Sequence, residues 1–593
     1  MRPTPSVRRL LLSLALLGAA TAAGAQAVTK DAPETTAQDP RVGLGAGLSD
    51  AKSAARGMEL VSHSDRPAGW FDPQDPGSFG FANADLAFSG NLLFQGGFNG
   101  VQIWDITNPA SPSLRASIPC PGGQGDVSVF RNLLFMSVEE YRGRVNCGAQ
   151  EITDSVSAER FRGVRVFDIT DVARPRQIAA VQTCRGSHTH TLLVSPSDPA
   201  NVYVYVQGTG PSRPAAELAG CVGNAELTDP NNPYFRIEVI KVPLSAPQDA
   251  RIVSMPRIFA NAQGSIAGLN PGGSQGEGAQ QAAQTNQCHD ITTYPALGLA
   301  AGACAGNGIL LDIRDPANPR RIAEVSDPNF AYWHSATFNN DGSKVLFSDE
   351  WGGGTQPRCR ATDRPTWGAD AIFSLENGRL TQRGYYKLPA PQTATENCVA
   401  HNGSLVPIPG RDVMVQAWYQ GGVSMFDWTD PAHPVEIAFF DRGPMSATEL
   451  QLGGFWSAYW YNGRVYGSEI GRGLDVFRLT PSASLSANEI AAAELVRDSV
   501  FNPQMQTRIE WPASAVVSRA YLDQLARNDG LAAASRSAVA RELDRADRLS
   551  GAARRTAFTA LAQRVEADAA RAGDPTRVRA LAASLRKLAD AAR

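Results

Sequence analysis

Seven histidines occur in this chain of 593 residues, and four of them open apolar strands of the same pattern: THTLLV at His190, CHDITTY at His289, WHSATF at His334 and AHNGSL at His401. Random placement would put only about 0.08 histidines on the seven matching strand starts, so the coincidence asks for a chemical reason. Neutral imidazole is a ligand for Fe, Cu, Zn and Ni, with bonds of about 2.0–2.2 Å. Residues at one register of neighbouring repeats face one axis, so His190, His289, His334 and His401 are expected to hold a single transition-metal ion (Fe, Cu or Zn). His188 lies two residues before His190 and on the same side of an extended strand, which makes it an additional candidate ligand. The second strands return to the same end of each repeat and bring Glu139, Glu140, Asp349, Glu350 and Glu469 there. Carboxylates at that height can orient histidine N–H groups or accept a proton, and Asp126 and Glu350 are the preferred acidic candidates. His63 and His433 fall in outer or turn segments and are expected at the surface.

The elements that must position these residues form a repeat. One pattern recurs in NLLFQGGFNGVQIWDITNPASP, FRGVRVFDITDVARP, GNGILLDIRDPANP and GGVSMFDWTDPAHP, and more weakly in YFRIEVIKVPLSAP, GADAIFSLENGRL and RGLDVFRLTP. The copies carry β-forming residues at strand spacing, and the four clear ones stop at an Asp-x-Thr or Asp-Pro turn. With a fourth short strand after each clear copy, the unit is a four-stranded antiparallel sheet, too small to bury both of its faces alone. Radial stacking buries them, so the expectation is a mainly β fold: a seven-bladed β-propeller followed by a small α-helical C-terminal bundle. The last unit lacks a fourth strand and Met58–Ser62 is a lone strand before the first, so the N-terminal strand is expected to close the ring.

The V-x-I-x-D-I-T-x-P sentences resemble the LVIVD-repeat proteins, a family of extracellular β-propellers, over about residues 55 to 480. The resemblance implies a fold and assigns no activity. Two functional readings follow from the histidines. In one, a histidine-rich centre at the channel mouth supports a metal-dependent oxidoreductase, since such a donor set suits Fe or Cu oxygen chemistry. In the other, the protein is a non-catalytic extracellular binding or adhesion propeller whose channel is filled by histidine. The expected partner is a small molecule or an extracellular protein at the channel mouth.

The N-terminus, with Arg8 and Arg9 before an apolar run that ends in small residues, reads as a signal peptide over 1–27, followed by a flexible segment over 28–56. No later stretch is apolar enough to span a bilayer, and the expected location is extracytoplasmic, periplasmic or secreted. Eight cysteines fit disulfides in an oxidising compartment. Their placement before inner strands and after second strands suggests sequential pairing: 120–147, 184–221, 288–304 and 359–398. The formal charge of −3 and the lack of a basic stripe speak against a nucleic-acid partner. The propeller is expected over 57–480, a linker over 481–513 and the helical module over 514–593, with helix caps at Ser514, Ser535 and Asp574. The insertion Asn261 to Gln287, rich in Gly and Gln, is expected to be mobile. Its G-x-S-x-G match around Ser274 lacks the strand-to-helix elbow of a serine hydrolase.

Overall fold

The computed structural model describes residues 39–592 apart from 224, 225, 228, 230, 262 and 264. The signal-peptide assignment for 1–27 therefore lies outside the described residues. Among the described residues the chain is mainly β, built from many small antiparallel sheets, with five α-helices towards the C-terminus.

The recurring turn chemistry builds the sheets. Asp105, Asp168, Asp312 and Asp427 each accept a hydrogen bond from the backbone N–H two residues on, at 2.8–3.1 Å, which folds the chain sharply at the end of the third strand. Asn108, Asp171, Asp315 and Asp430 repeat the device three residues later and aim the chain into the fourth strand. One unit illustrates the consequence. Asp290–Tyr294, Leu299–Cys304, Asn307–Asp312 and Arg320–Val325 pair antiparallel in succession. The inner three strands are almost wholly buried, whereas the fourth alternates between exposed and half-buried residues, as an edge with one wet face should.

Burial comes from stacking one sheet on the next. Tyr294, Ala301 and Leu310 of this unit share a core with Trp333, Phe347 and Phe373 of the following one. The innermost strands Asn83–Ser89, Val127–Phe130, Thr189–Leu193, Asp290–Tyr294, Trp333–Phe338, Asn402–Val406 and Phe455–Tyr461 touch one another in that order, and the last touches the first. The result is a propeller-like ring of sheets. Met58–Asp65 pairs with Gly473–Leu479 as the outer strand of the final unit, so the two ends of the array are joined without a covalent link. The structure carries four disulfides, Cys120–Cys147, Cys184–Cys221, Cys288–Cys304 and Cys359–Cys398, which is the sequential pairing expected from the sequence.

Three segments carry structure that their composition does not announce. Within 28–56, Ser53–Arg56 is a strand that covers the edge strand Val435–Arg442, because an unpaired edge otherwise exposes its backbone donors and acceptors. The insertion before His289 is not structureless: Gly273–Ser274 pairs with Gln281–Ala282, and Gln280 donates to Asp349 at 3.0 Å. The segment 481–513 is more than a linker. It holds the helix α1 (Ala487–Glu494), opened by a capping box between Ser486 and Glu489, and then the strand Val500–Phe501, which pairs with Phe88–Ser89.

Beyond that strand the chain crosses the ends of the inner strands opposite the histidines. The Asn502 amide accepts from Val129 N–H at 2.7 Å and donates to Val129 C=O at 2.9 Å, and Gln506 treats Phe338 in the same way at 3.0 and 2.8 Å. These side chains satisfy backbone groups that a strand end would leave open. The remaining helices α2 (Ala515–Arg527), α3 (Ala533–Asp547), α4 (Gly551–Asp568) and α5 (Pro575–Asp590) enclose their own apolar core. Ser514 and Asp574 cap α2 and α5 as expected. Ser535 instead lies inside α3, whose N-cap is Ala532. The bundle is tied to the sheets through buried Glu489, which bridges Arg411 and Arg527.

Candidate metal centre

Three adjacent sheets deliver an imidazole to the same height because His289 and His401 immediately precede their inner strands and His334 is the second residue of its own. The fourth imidazole at that height belongs to His188. The rings follow one another without a break: His188 to His289 at 4.3 Å between centroids, His289 to His334 at 3.8 Å and His334 to His401 at 4.3 Å. The Nε2 atoms of His188 and His289 are only 2.6 Å apart. Glu350 faces the other end of the run, with its two oxygens 3.7 Å from Nε2 of His334 and Nε2 of His401. Donor atoms of His334, Glu350 and His401 lie within 4.8 Å of one another, as do those of His289, Asp290 and His334. The two groups share His334, and His188 belongs to neither.

His190 stands elsewhere. Its Nδ1 lies 2.8 Å from Ser137 Oγ and 3.2 Å from Asp126, and its ring neighbours Phe135. Asp126, one of the two preferred acids, accepts the His190 backbone N–H at 3.0 Å and is likewise not among the groups around the histidine run. The reason is strand register. Thr189 and Thr191 donate to the carbonyls of His289 and Ile291, an offset of 100 residues that sets His188, not His190, beside His289. His188 and His190 share a face, so the alternation of side chains along a strand does not tell them apart; their height along the axis does.

Second-strand carboxylates divide by role. Glu139 holds His188 through Nδ1 at 2.5 Å and takes a hydrogen bond from Thr209 at 2.7 Å. Glu350 accepts from the Tyr419 hydroxyl at 2.6 Å. Asp349 instead accepts the backbone N–H groups of Ala331, Tyr332 and Gly368, and Glu469 those of Gly454, Gly471 and Arg472, so both serve the scaffold. Glu140 reaches the cavity wall and pairs with Arg142. His63 pairs with Asp475 at 2.6 Å on the ring-closing strand and His433 is exposed, both away from the centre.

The electrostatics favour the neutral form at His289, His334 and His401. Burial, followed by the neighbouring imidazoles, holds His289 and His334 well below the usual histidine range. Burial brings His401 down to about 3. Burial also depresses His188, but the Glu139 carboxylate outweighs it and leaves this histidine raised. Burial pushes Glu350 up to about 7. His401 is oriented by a short contact between Nδ1 and the Trp456 carbonyl, the kind of outer partner that fixes the tautomer of a ligating histidine. His334 differs from its neighbours: its side chain is fully buried and neither ring nitrogen has a hydrogen-bond partner. A buried polar group left so is costly unless something else satisfies it. A donor set of neutral imidazoles and one carboxylate fits Fe, Cu or Zn.

Above the centre opens a cavity of about 630 Å³, within the range of small-molecule sites. Its lining includes His188, His289, His401 and Glu350, and the hairpin of the 261–287 insertion contributes Gln281 and Ala282.

No family model matches the chain, and no curated protein matches it. Among solved structures the chain is similar to the periplasmic gluconolactonase of Pseudomonas aeruginosa, at 14% identity over 67% of this chain and 96% of that one, with a TM-score of 0.37. It is also similar to a protein from Lactobacillus plantarum (10% identity, 67% and 97% covered, TM-score 0.38) and to a functionally unknown protein from Desulfotomaculum acetoxidans (9%, 61% and 90%, 0.35). Likeness at this level carries no inference about activity. The strand pattern and the site together define a propeller-like β protein with a candidate histidine metal centre. Its four disulfides fit an extracytoplasmic location, and among the described residues no helix is long and apolar enough to cross a membrane.

Proposed function

We propose that this protein is an exported seven-bladed propeller of LVIVD-repeat type that binds one transition-metal ion, Fe, Cu or Zn, between His188, His289, His334 and His401, with Glu350 beside it. The observation that carries the reading is the unbroken run of four imidazoles that includes His334, whose two ring nitrogens are buried without a hydrogen-bond partner. The closed circuit of inner strands supports the seven-bladed ring. A bound Fe or Cu ion would supply Lewis acidity and one-electron chemistry at the floor of the cavity, and we assign the site to a metal-dependent oxidoreductase. In that role Glu139 and the Trp456 carbonyl orient His188 and His401, while Glu350, hydrogen-bonded by Tyr419, holds a proton at the cavity floor.

Metal analysis of the purified full-length protein tests this, with the His188, His289, His334, His401→Ala variant as control. One ion per chain in the wild type and none in the variant is the expected result. A wild type free of stoichiometric metal, including after incubation with Fe(II), Cu(II) and Zn(II), leaves the second reading. There the protein is a non-catalytic binding propeller, and the pairing of His188 with Glu139 is simply how a buried channel histidine is satisfied.

A further inference from the structure

The cavity over the histidines has walls as well as a floor, and the walls are aromatic. Phe79 packs on Phe98 at 5.3 Å between centroids, Phe98 on Trp456 at 6.0 Å and Trp456 on His401 at 5.2 Å. On the far side of the run, Tyr332 packs edge-on against His289 at 5.9 Å. A chain of ring contacts thus descends one wall from Phe79, crosses the floor through His401, His334 and His289, and rises again to Tyr332. The aromatic rings at both ends line the cavity.

The charged groups of the same lining are few and already paired. Glu140 and Glu350 are its acidic residues, and no lysine or arginine is present among the described lining residues. The one lining group that can carry a positive charge, His188, is already engaged by Glu139 at 2.5 Å, and Arg142 behind the wall is engaged by Glu140, so a phosphate or carboxylate entering this space would find no free cation to offset the cost of leaving water. Rings, by contrast, pack well on rings, in offset or edge-to-face geometry at centroid separations of about 4.5–7 Å.

We propose that this cavity takes an uncharged molecule bearing an aromatic ring, seated between Phe79, Phe98 and Trp456 on one side and Tyr332 on the other, with its polar end toward the histidines and Glu350. This names the substrate class of the site assigned above and rests on that assignment for the choice of mouth. It does not require the metal, because the walls are formed by side chains alone.

The test uses the full-length protein, chelator-treated and metal-loaded in parallel, with p-cresol and phenyl phosphate as probes and ligand-observed NMR or calorimetry as readout. The expected result is saturable p-cresol binding to the chelated protein, with phenyl phosphate at least tenfold weaker. Phe79→Ala, at a residue 40% exposed and so tolerant of change, should weaken p-cresol severalfold. Phe98→Leu, which keeps an apolar side chain in a buried position, should do the same with an unchanged unfolding midpoint. Absence of p-cresol binding, equal or tighter binding of phenyl phosphate to the chelated protein, or indifference to both substitutions would overturn the proposal. Ring-selective binding in a protein that takes up no metal would retire the metal centre and leave the aromatic site standing. Stoichiometric metal without ring selectivity would do the reverse.

Discussion

Replacing His334 by leucine should have opposite effects on stability and on metal binding. In the metal-free protein this imidazole is fully buried and held neutral, so it carries one N–H donor and one lone pair, and neither has a partner. An unsatisfied buried group costs about 1–3 kcal/mol. Leucine has a similar volume and no polar atom, so His334→Leu should stabilise the chelated protein by about 1–3 kcal/mol. The same change removes one of four nitrogen ligands. If roughly 10–16 kcal/mol of binding energy is shared among four ligands, losing one costs about 2.5–4 kcal/mol, or about 10²- to 10³-fold in Kd. The control is His190→Leu. It forfeits one hydrogen bond to Ser137 and removes one unpartnered nitrogen, so stability should stay within about 1 kcal/mol and metal content should be unchanged. Urea unfolding followed by fluorescence, with chelator and then with saturating metal, reads all of these, since a ligand bound only to the folded state raises the midpoint. The reasoning fails if chelated His334→Leu unfolds more easily than wild type by over about 1 kcal/mol, or if added metal still raises its midpoint as it does in wild type.

Three further outcomes follow from the scaffold. Asn502→Ala should destabilise the protein by about 2–4 kcal/mol, because the buried N–H and C=O of Val129 each lose their partner, whereas Asn502→Asp should retain only the bond from the N–H; urea midpoints of the two variants check this. Serine at both Cys359 and Cys398 opens a loop with a sequence separation of 39, which loop-closure entropy values at about 4 kcal/mol, so thermal unfolding should move down by a few degrees while the other three disulfides remain by mass. His63 is raised above the ordinary histidine value, mainly by its hydrogen bond to Asp475, so its protonated form favours the folded state. That contribution is complete below the unfolded value of about 6.5 and is lost as pH rises through the raised folded value; His63→Gln should therefore lower the melting temperature at pH 5.5 and leave it unchanged at pH 9.

What could be read from the residues, and what could not, divides along a physical line. The Asx-turn residues announced four of the sheets because their chemistry is local: Asp105 or Asp427 needs only the next two residues to fold the chain. Cysteine pairing was legible for a similar reason, since each pair joins loops consecutive along one mouth. Placing the fourth imidazole was a different kind of problem. His188 and His190 are equivalent to any argument based on the period of a strand, and what separates them is a hydrogen-bond offset between two sheets 100 residues apart, expressed through Thr189 and Thr191. The crossing segment after Val500 escaped for the same reason. Asn502 and Gln506 act by imitating a peptide group toward Val129 and Phe338, an interaction with no period and no local signature. Contacts between repeats, rather than within them, therefore decide which histidines meet. It follows that a change at Thr191, which touches none of the four rings, should disturb the centre through register while the turn residues of its own sheet stay intact.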